Sequence, residues 1–179
     1  MANIVFIATS LDGYIADKEG NLDWLHSAST PEGNDMGFSA LMERVDGLIM
    51  GRNTLDTILS FGVDWPYSKP VFVLSHSMTS VPKGYEDKIV LINGELKSVL
   101  NDLSEKGFID LYIDGGITIQ NFLAEDLIDE LILTSIPVLL GGGSPLFGNL
   151  SAPLNFELVE SQTFNAAITQ SHYVRKSKT

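Results

Sequence analysis

The fold is decided by the stretch Gly47-Leu48-Ile49-Met50-Gly51-Arg52-Asn53-Thr54. Its apolar first half is typical of a short buried strand, and the helical pattern that follows ends near Ser60. Gly51 permits a sharp turn, and Arg52 stands where a phosphate could be held by two hydrogen bonds. The stretch predicts a strand, a turn and a helix, with a candidate anion site at the turn. A glycine turn before a helix is also common without any ligand.

A second unit of this kind lies further along the chain, at Asp114-Gly115-Gly116-Ile117-Thr118. An apolar run over residues 109–113 precedes it, and Ile119, Phe122 and Leu123 share one face of the helix that follows. Paired glycines let a backbone approach a pyrophosphate closely, although a Gly-Gly turn alone is a weak signal. The G-x-G-x-x-G fingerprint is absent, so we do not infer a Rossmann dinucleotide site.

The rest of the chain extends the same alternation of strand and helix. Apolar runs predict strands at residues 3–8, 70–74 and 88–92, and helical spacing predicts helices starting near Phe38 and Leu96. After residue 130 the pattern changes to three strands without helices between them, at 131–136, 156–164 and 168–174. We therefore expect an α/β fold of three layers, with a central mixed, mostly parallel sheet and antiparallel C-terminal edge strands.

Composition narrows the class of protein. A chain of 179 residues with 44% hydrophobic and 19% charged residues fits a single packed domain over residues 1–179. The net charge of -12 argues against binding to nucleic acid or to an anionic membrane. No apolar run is long enough to span a bilayer, and the first run reads as a strand and not as a secretory signal, which favours the cytoplasm.

Neither a metal site nor a hydrolase is indicated. The chain has no cysteine, its three histidines lack ligand spacing, and no G-x-S-x-G elbow occurs. The carboxylates close to the first loops, Asp12, Asp23 and Asp35, are candidates for proton transfer. Any one of them chosen without further information is more often a solvated turn residue.

Taken in order, these motifs resemble the dihydrofolate-reductase-like superfamily. The resemblance rests on Ile49-Met50-Gly51-Arg52, on Leu74-Ser75 and on Gly115-Gly116, and it extends from Ile4 to about Val174. Within the superfamily the chain looks most like the reductase domain of the bifunctional riboflavin deaminase-reductase and its standalone relatives. The features that favour this group are Ser10-Leu11-Asp12-Gly13-Tyr14-Ile15-Ala16, the segment 136–143 followed by Pro145-Leu146-Phe147, and the acid Asp114 before the glycine pair.

The resemblance implies an NADPH-dependent reductase that transfers hydride to a C=N or C=O carbon of a small pterin-like or pyrimidine-like substrate. It implies a 2'-phosphate near Arg52, Ser75 and His76, a pyrophosphate at the second glycine turn, and a nicotinamide beside Ala8 and Ile15. The implied cofactor-binding residues are Ala8, Ile15, Gly51, Arg52, Asn53, Thr54, Leu74, Ser75, His76, Gly115, Gly116, Ile117 and Thr118. A homodimer is also implied by the riboflavin-type domains.

Two carboxylates are candidates for the proton donor. Asp35 lies fifteen residues before Met50, the spacing of the acid in folate reductases, and it directly precedes the predicted amphipathic helix. Asp23 is the rival, because its loop would close over the nicotinamide and Trp24 could pack there. The alternatives to the riboflavin-type activity are a dihydrofolate reductase and a non-catalytic NADPH-binding module.

Overall fold

The computed structural model describes residues 1–28 and 32–176. Within them the chain forms ten strands, four α-helices and a 3₁₀ turn at Asp23–His26. The helices are α1 (Phe38–Arg44), α2 (Arg52–Ser60), α3 (Leu96–Glu105) and α4 (Gly116–Ala124). The strands are β1 (Ala2–Ser10), β2 (Tyr14–Ala16), β3 (Gly47–Gly51), β4 (Val71–Leu74), β5 (Ile89–Ile92), β6 (Asp110–Asp114), β7 (Glu130–Ile136), β8 (Ser144–Pro145), β9 (Phe156–Phe164) and β10 (Ile168–Arg175).

Eight strands form one sheet in the order β5-β4-β3-β6-β1-β7-β10-β9. All neighbours from β5 to β7 are parallel, whereas β10 pairs antiparallel with both β7 and β9. Asn165 and Ala166 both have positive φ, which suits the tight turn that joins β9 to β10 without a crossover helix. The predicted mixed sheet with antiparallel C-terminal strands is confirmed.

Helices cover both faces of this sheet, so the three-layer prediction is confirmed. On the face that we call the α1 face, α1 and α2 pack on a buried cluster that includes Leu48, Met50 and Tyr112. On the opposite face, α3 and α4 pack on a cluster that includes Ile49, Ile113 and the fully buried Phe122. Consecutive residues of β3 and β6 contribute to opposite clusters, as the two-residue period of a strand requires.

A second, two-stranded sheet forms where β2 pairs with β8. The glycines at 141–143 form a bend in the chain, and hydrogen bonds to the loop after β1 hold this bend in place. The Asp12 carboxylate accepts hydrogen bonds from Leu140 N (3.1 Å) and Gly141 N (2.8 Å), and Leu11 N donates to Val138 O (2.9 Å). These bonds lower the pKa of Asp12, with the Ser10 hydroxyl at 2.6 Å as the largest cause. Asp12 therefore holds the loop after β1 against the loop after β7, and we call this set of hydrogen bonds the Asp12 tie.

In the part of the chain that the structure describes, no helix has the length and apolarity needed to cross a membrane.

The loop tie gives a stability prediction at Gly143. Its φ of +133° is strained for other residues, and a Cβ there would overlap Ala16 O. Gly141 also has a positive φ, but a Cβ there would meet nothing within 4 Å. We expect Gly141→Ala to cost about 1 kcal/mol of unfolding free energy and Gly143→Ala about 1 to 3 kcal/mol more. Chemical denaturation of both variants measures the difference, and equal losses would show that the contact with Ala16 carries no cost.

Candidate active site

The two glycine turns singled out in the sequence are neighbours in space. The strands β3 and β6 are parallel, and Met50 lies opposite Asp114 in their register. Both chains then turn at glycines and enter α2 and α4. Because both helices start at the same edge of the sheet, their N-termini lie side by side at the carboxyl ends of the strands, where ligands bind in open α/β sheets.

Gly115 and Gly51 keep these two turns in close contact. Gly115 has φ +91°, and a Cβ there would overlap the Thr54 hydroxyl, so no larger residue fits without a shift. Across the gap, a Cβ at Gly51 would stand 3.0 Å from the Thr118 hydroxyl. Neither helix has a hydrogen bond from an N-cap side chain, so their first amide groups are left to bind an anion. We call this arrangement of two glycine turns and two helix N-termini the cradle; its uncapped amides could hold a phosphate group.

A basic bay lies beside this cradle, at the end of β4. Arg52 is more than half exposed, 3.4 Å from Asp56 and 3.4 Å from the Ser77 hydroxyl. The Ser75 hydroxyl accepts hydrogen bonds from the amides of Ser77 (3.3 Å) and Met78 (3.2 Å), which fixes the loop. Leu74 lies opposite Gly51, and His76 is exposed in the same loop. Ser77 was not predicted, because its approach to Arg52 depends on the fold of this loop.

Two further predicted cofactor residues, Ile15 and Ala8, lie at the same edge, and Asn53 and Ile117 lie in the first turns of α2 and α4. Ile15 packs over the start of α4, so that a Cβ at Gly116 would stand 2.7 Å from its Cδ1. Ala8 lies near the end of β1, opposite Thr134 of β7, and is only partly buried. The structure thus brings together residues that the sequence places far apart.

Of the two predicted proton donors, Asp35 caps a helix. Its carboxylate accepts hydrogen bonds from Gly37 N (3.0 Å) and Ser39 N (2.8 Å) at the start of α1. The hydrogen bonds with Ser39, aided by Gly37, lower the pKa of Asp35, which favours the ionised form. Asp23 is exposed at the first position of the 3₁₀ turn. Their role as proton donors stays a prediction, and the surroundings of Asp35 disfavour it.

The carboxylate that lies against the cradle is Asp114, the last residue of β6. Burial raises its pKa to about 6, against the opposing effect of the Gly115 amide, which donates to it at 2.8 Å. The hydroxyls of Tyr67 and Tyr112 also lower the pKa of Asp114, by less than burial raises it. The Tyr112 hydroxyl donates to Phe6 O on the neighbouring strand (3.0 Å), and burial raises the pKa of both tyrosines.

Asp114 was noted in the sequence only as a mark of resemblance, and its raised pKa was not predicted. The available signal was an acid that ends an otherwise apolar strand and precedes a glycine pair. Tyr67 gave no signal, because it reaches the carboxylate from the long segment between α2 and β4. An aromatic group surrounds Tyr67, with the Phe38 ring 6.5 Å and the Trp65 ring 5.4 Å away.

Across residues 1–28 and 32–176, no group of three His, Asp or Glu side chains is arranged to hold a metal ion.

Comparison with known proteins agrees with this architecture. The family model of the RibD C-terminal domain matches residues 3–169. The uncharacterized protein YwjB of Bacillus subtilis is 37% identical over 175 residues, which cover 96% of this chain and 97% of YwjB. The crystal structure titled "Putative riboflavin biosynthesis protein" from Shewanella sp. PV-4 is 65% identical, with a TM-score of 0.97 over 99% of this chain and 100% of the other.

A more distant structure shows the fold alone. Dihydrofolate reductase from Enterococcus faecalis, solved with NADP(H) and RAB-propyl, superposes with a TM-score of 0.64 at 18% identity, over 98% of this chain and 97% of its own. The dihydrofolate-reductase-like fold implied by the sequence is therefore confirmed. With the family match over nearly the whole chain, the protein belongs to the RibD C-terminal domain family, a reductase-like family of riboflavin biosynthesis.

Proposed function

We propose that the protein is an NADPH-dependent reductase of the riboflavin-biosynthesis type, acting in the cytoplasm on a C=N or C=O carbon of a small pterin-like or pyrimidine-like substrate. The observation that carries the proposal is the position of Asp114. A partly buried carboxyl group, whose pKa desolvation raises to about 6, lies directly against a cradle built from two helix N-termini. Titratable groups with such shifted pKa values are typical of catalytic sites.

The cradle and the bay suit the phosphates of NADPH. A pyrophosphate suits the uncapped amides at the starts of α2 and α4, which the glycines at 51 and 115 allow to lie close together. The guanidinium of Arg52 and the hydroxyls of Ser75 and Ser77 suit the 2'-phosphate, which NADH lacks. Bound NADPH would supply the hydride, and Ala8 and Ile15 would border its nicotinamide.

In this mechanism Asp114 holds the proton. Desolvation makes the ionised form of Asp114 costly in free energy, so Asp114 takes up a proton more readily than a solvated aspartate does. Near neutral pH it can return this proton to a neighbouring atom. Tyr112 has one hydroxyl proton, which it donates to Phe6 O.

The protein's remaining tasks are orientation and exclusion of water. The ring of Tyr67 and its aromatic neighbours shield one side of the carboxyl group, and the Asp12 tie holds the loop after β7 against the first loop. Both effects keep the reacting groups in a fixed, poorly solvated geometry. The homodimer stays a prediction, which sedimentation at several protein concentrations would check.

The cofactor site is tested first, by calorimetric titration with NADPH and with NADH. We expect micromolar binding of NADPH, weakened at least tenfold in Arg52→Ala, because the 2'-phosphate loses its guanidinium. NADH binding should change less than twofold in the same variant. Lys106→Ala, an exposed cation at the end of α3, is the matched control and should leave both affinities unchanged.

Failure to bind either nucleotide would remove the basis of the reductase proposal. If Arg52→Ala weakened the binding of NADPH and of NADH equally, the 2'-phosphate would not bind at Arg52. If NADPH binds, its oxidation is measured with the phosphoribosylamino-pyrimidine, its dephosphorylated form and dihydrofolate. Binding without oxidation of any acceptor favours the non-catalytic module, and preference for dihydrofolate favours a folate reductase.

Asp114 gives a prediction of pH-dependent activity. Because the protonated acid is the active form, kcat should fall about tenfold per pH unit above pH 6. Asp114→Asn should lower kcat by about 100-fold or more and abolish this pH dependence, with NADPH affinity retained. Asp35→Asn and Asp23→Asn should keep both the rate and the profile. Loss of the pH dependence in either of those variants would show that the residue replaced there is the proton donor.

The same group gives a prediction of stability. The folded pKa of about 6 lies above the usual value of 3.8, so the folded state is most favoured at low pH and loses stability as pH rises from about 4 to 6. The loss amounts to up to about 3 kcal/mol. Asp114→Asn should therefore unfold at higher urea concentration than the wild type at pH 8, and the advantage should vanish at pH 4. An unchanged midpoint of urea unfolding at pH 8 would contradict the claim that the charge on Asp114 destabilises the folded state.

A further inference from the structure

Strand β10 has a glutamine that bridges two other elements of the fold. The side-chain amide of Gln170 donates to Met36 O (3.0 Å), in the turn before α1, and to the Thr134 hydroxyl of β7 (3.0 Å). Thr134 is buried and lies opposite Ala8 of β1, the residue that we expect beside the nicotinamide. Gln170 therefore joins the turn before α1 to the part of the sheet that lies next to the candidate site.

The turn before α1 has a backbone conformation that needs support. Met36 has φ +52° and Gly37 has φ +93°. A left-handed conformation costs free energy at a methionine, and such residues keep it only where the surrounding structure holds them. Two hydrogen bonds within the turn contribute, from Met36 N to Asn34 Oδ1 (2.8 Å) and from Gly37 N to Asp35 Oδ1 (3.0 Å). The hydrogen bond from Gln170, in contrast, comes from the sheet and fixes the position of the whole turn.

The other end of α1 is fixed separately. Arg44, the last residue of α1, donates two hydrogen bonds to the Glu130 carboxylate of β7, one of them at 2.8 Å. His172 of β10 also lies 2.9 Å from this carboxylate. Leu41 and Met42 are buried against the sheet between the two ends. Loss of the Gln170 amide would therefore release the first turn of α1 and leave the rest of the helix in place.

The first turn of α1 holds an aromatic ring beside the candidate proton donor. The Phe38 ring lies 6.1 Å from the Phe6 ring and 6.5 Å from the Tyr67 ring, and the Tyr67 hydroxyl affects the pKa of Asp114. Asp114 lies on the same face of the sheet, because Tyr112, two residues earlier, packs in the cluster under α1 and α2. An acceptor that receives a proton from Asp114 would thus lie beside the ring at the start of α1.

We propose that Gln170 is a positioning residue of the reductase: its hydrogen bond to Met36 O holds the start of α1, and with it the Phe38 ring, against the acceptor side of the site. This inference rests on the proposed function and deepens it, because it assigns a residue that shapes the acceptor side. The cradle for the cofactor is built from α2 and α4, which Gln170 does not hold. The inference therefore predicts a weaker acceptor and an unchanged affinity for NADPH.

The kinetic test follows NADPH oxidation with the phosphoribosylamino-pyrimidine, its dephosphorylated form and dihydrofolate, and uses the acceptor that the wild type reduces fastest. Gln170→Leu keeps most of the side-chain volume and removes both hydrogen bonds. It should raise the KM of the acceptor at least fivefold, with less than a twofold change in kcat and in the Kd of NADPH. A merely structural role would lower kcat through loss of folded enzyme and leave KM unchanged, and that result would overturn the inference.

Gln162→Leu is the matched control. Gln162 lies opposite Gln170 on β9, is exposed, and donates its side-chain amide to Glu160 (2.9 Å). This variant should change the KM of the acceptor less than twofold. An increase as large as that of Gln170→Leu would assign the effect to the β9–β10 hairpin as a whole and would contradict a specific role of Gln170.

A double variant tests whether Gln170 acts through Phe38. Phe38→Leu should raise the KM of the acceptor by itself, because the ring borders the acceptor. In the Phe38→Leu background, Gln170→Leu should add less than a twofold further increase, since residues that act through one contact are not additive. A full fivefold increase in that background would show that Gln170 does not act through the ring, and the inference would fail.

Hydrogen–deuterium exchange of the nucleotide-free protein gives a readout that does not depend on activity. Gln170→Leu should speed exchange of the amides at Phe38, Ser39 and Leu41, which form the first turn of α1, and leave those of α3 unchanged. Unchanged exchange in the first turn, or faster exchange without a change in KM, would overturn the inference. If the wild type reduces none of the acceptors, the proposed function fails instead, while the exchange rates still decide whether Gln170 holds the start of α1.

Discussion

The parallel register between β3 and β6 is the constraint on which the rest of the site depends. It places Met50 opposite Asp114, so that both chains turn at glycines on the same edge and start α2 and α4 side by side. Two helix N-termini then direct their free amides to one place, and a carboxyl group lies against them. A shift of this register by one residue would turn Asp114 to the opposite face and separate the glycine turns.

The desolvation of the Asp114 carboxyl group opposes the stability of the folded state. A carboxyl group held at the end of an apolar strand destabilises the folded protein near neutral pH, and the Gly115 amide offsets this cost only in part. The surrounding sheet tolerates the cost because two apolar clusters, one on each face, bury large side chains such as Phe122 and Met50. By contrast, Asp12 and Asp35 lie in exposed loops, where backbone amides stabilise their charge and give them structural roles.

Much of the fold could be predicted from the sequence because its signals are local. The spacing of Phe38, Leu41 and Met42 predicts α1, and the apolar runs predict the strands of the large sheet to within one or two residues. The strand at 156–164 was placed with its observed bounds. The tie between Asp12 and the glycine bend, the approach of Ser77 to Arg52 and the small sheet of β2 and β8 could not be predicted, since each joins residues distant in the chain.

The sequence by itself determined the alternation of strands and helices, the change to antiparallel strands after residue 130, and the two glycine turns that follow β3 and β6. These follow from periodicity and from the conformational freedom of glycine, which are properties of short segments. Only the tertiary structure decided which carboxyl group has a strongly raised pKa. An aspartate has the same side chain everywhere, and its pKa depends on the burial and hydrogen bonds that distant residues such as Tyr67 provide.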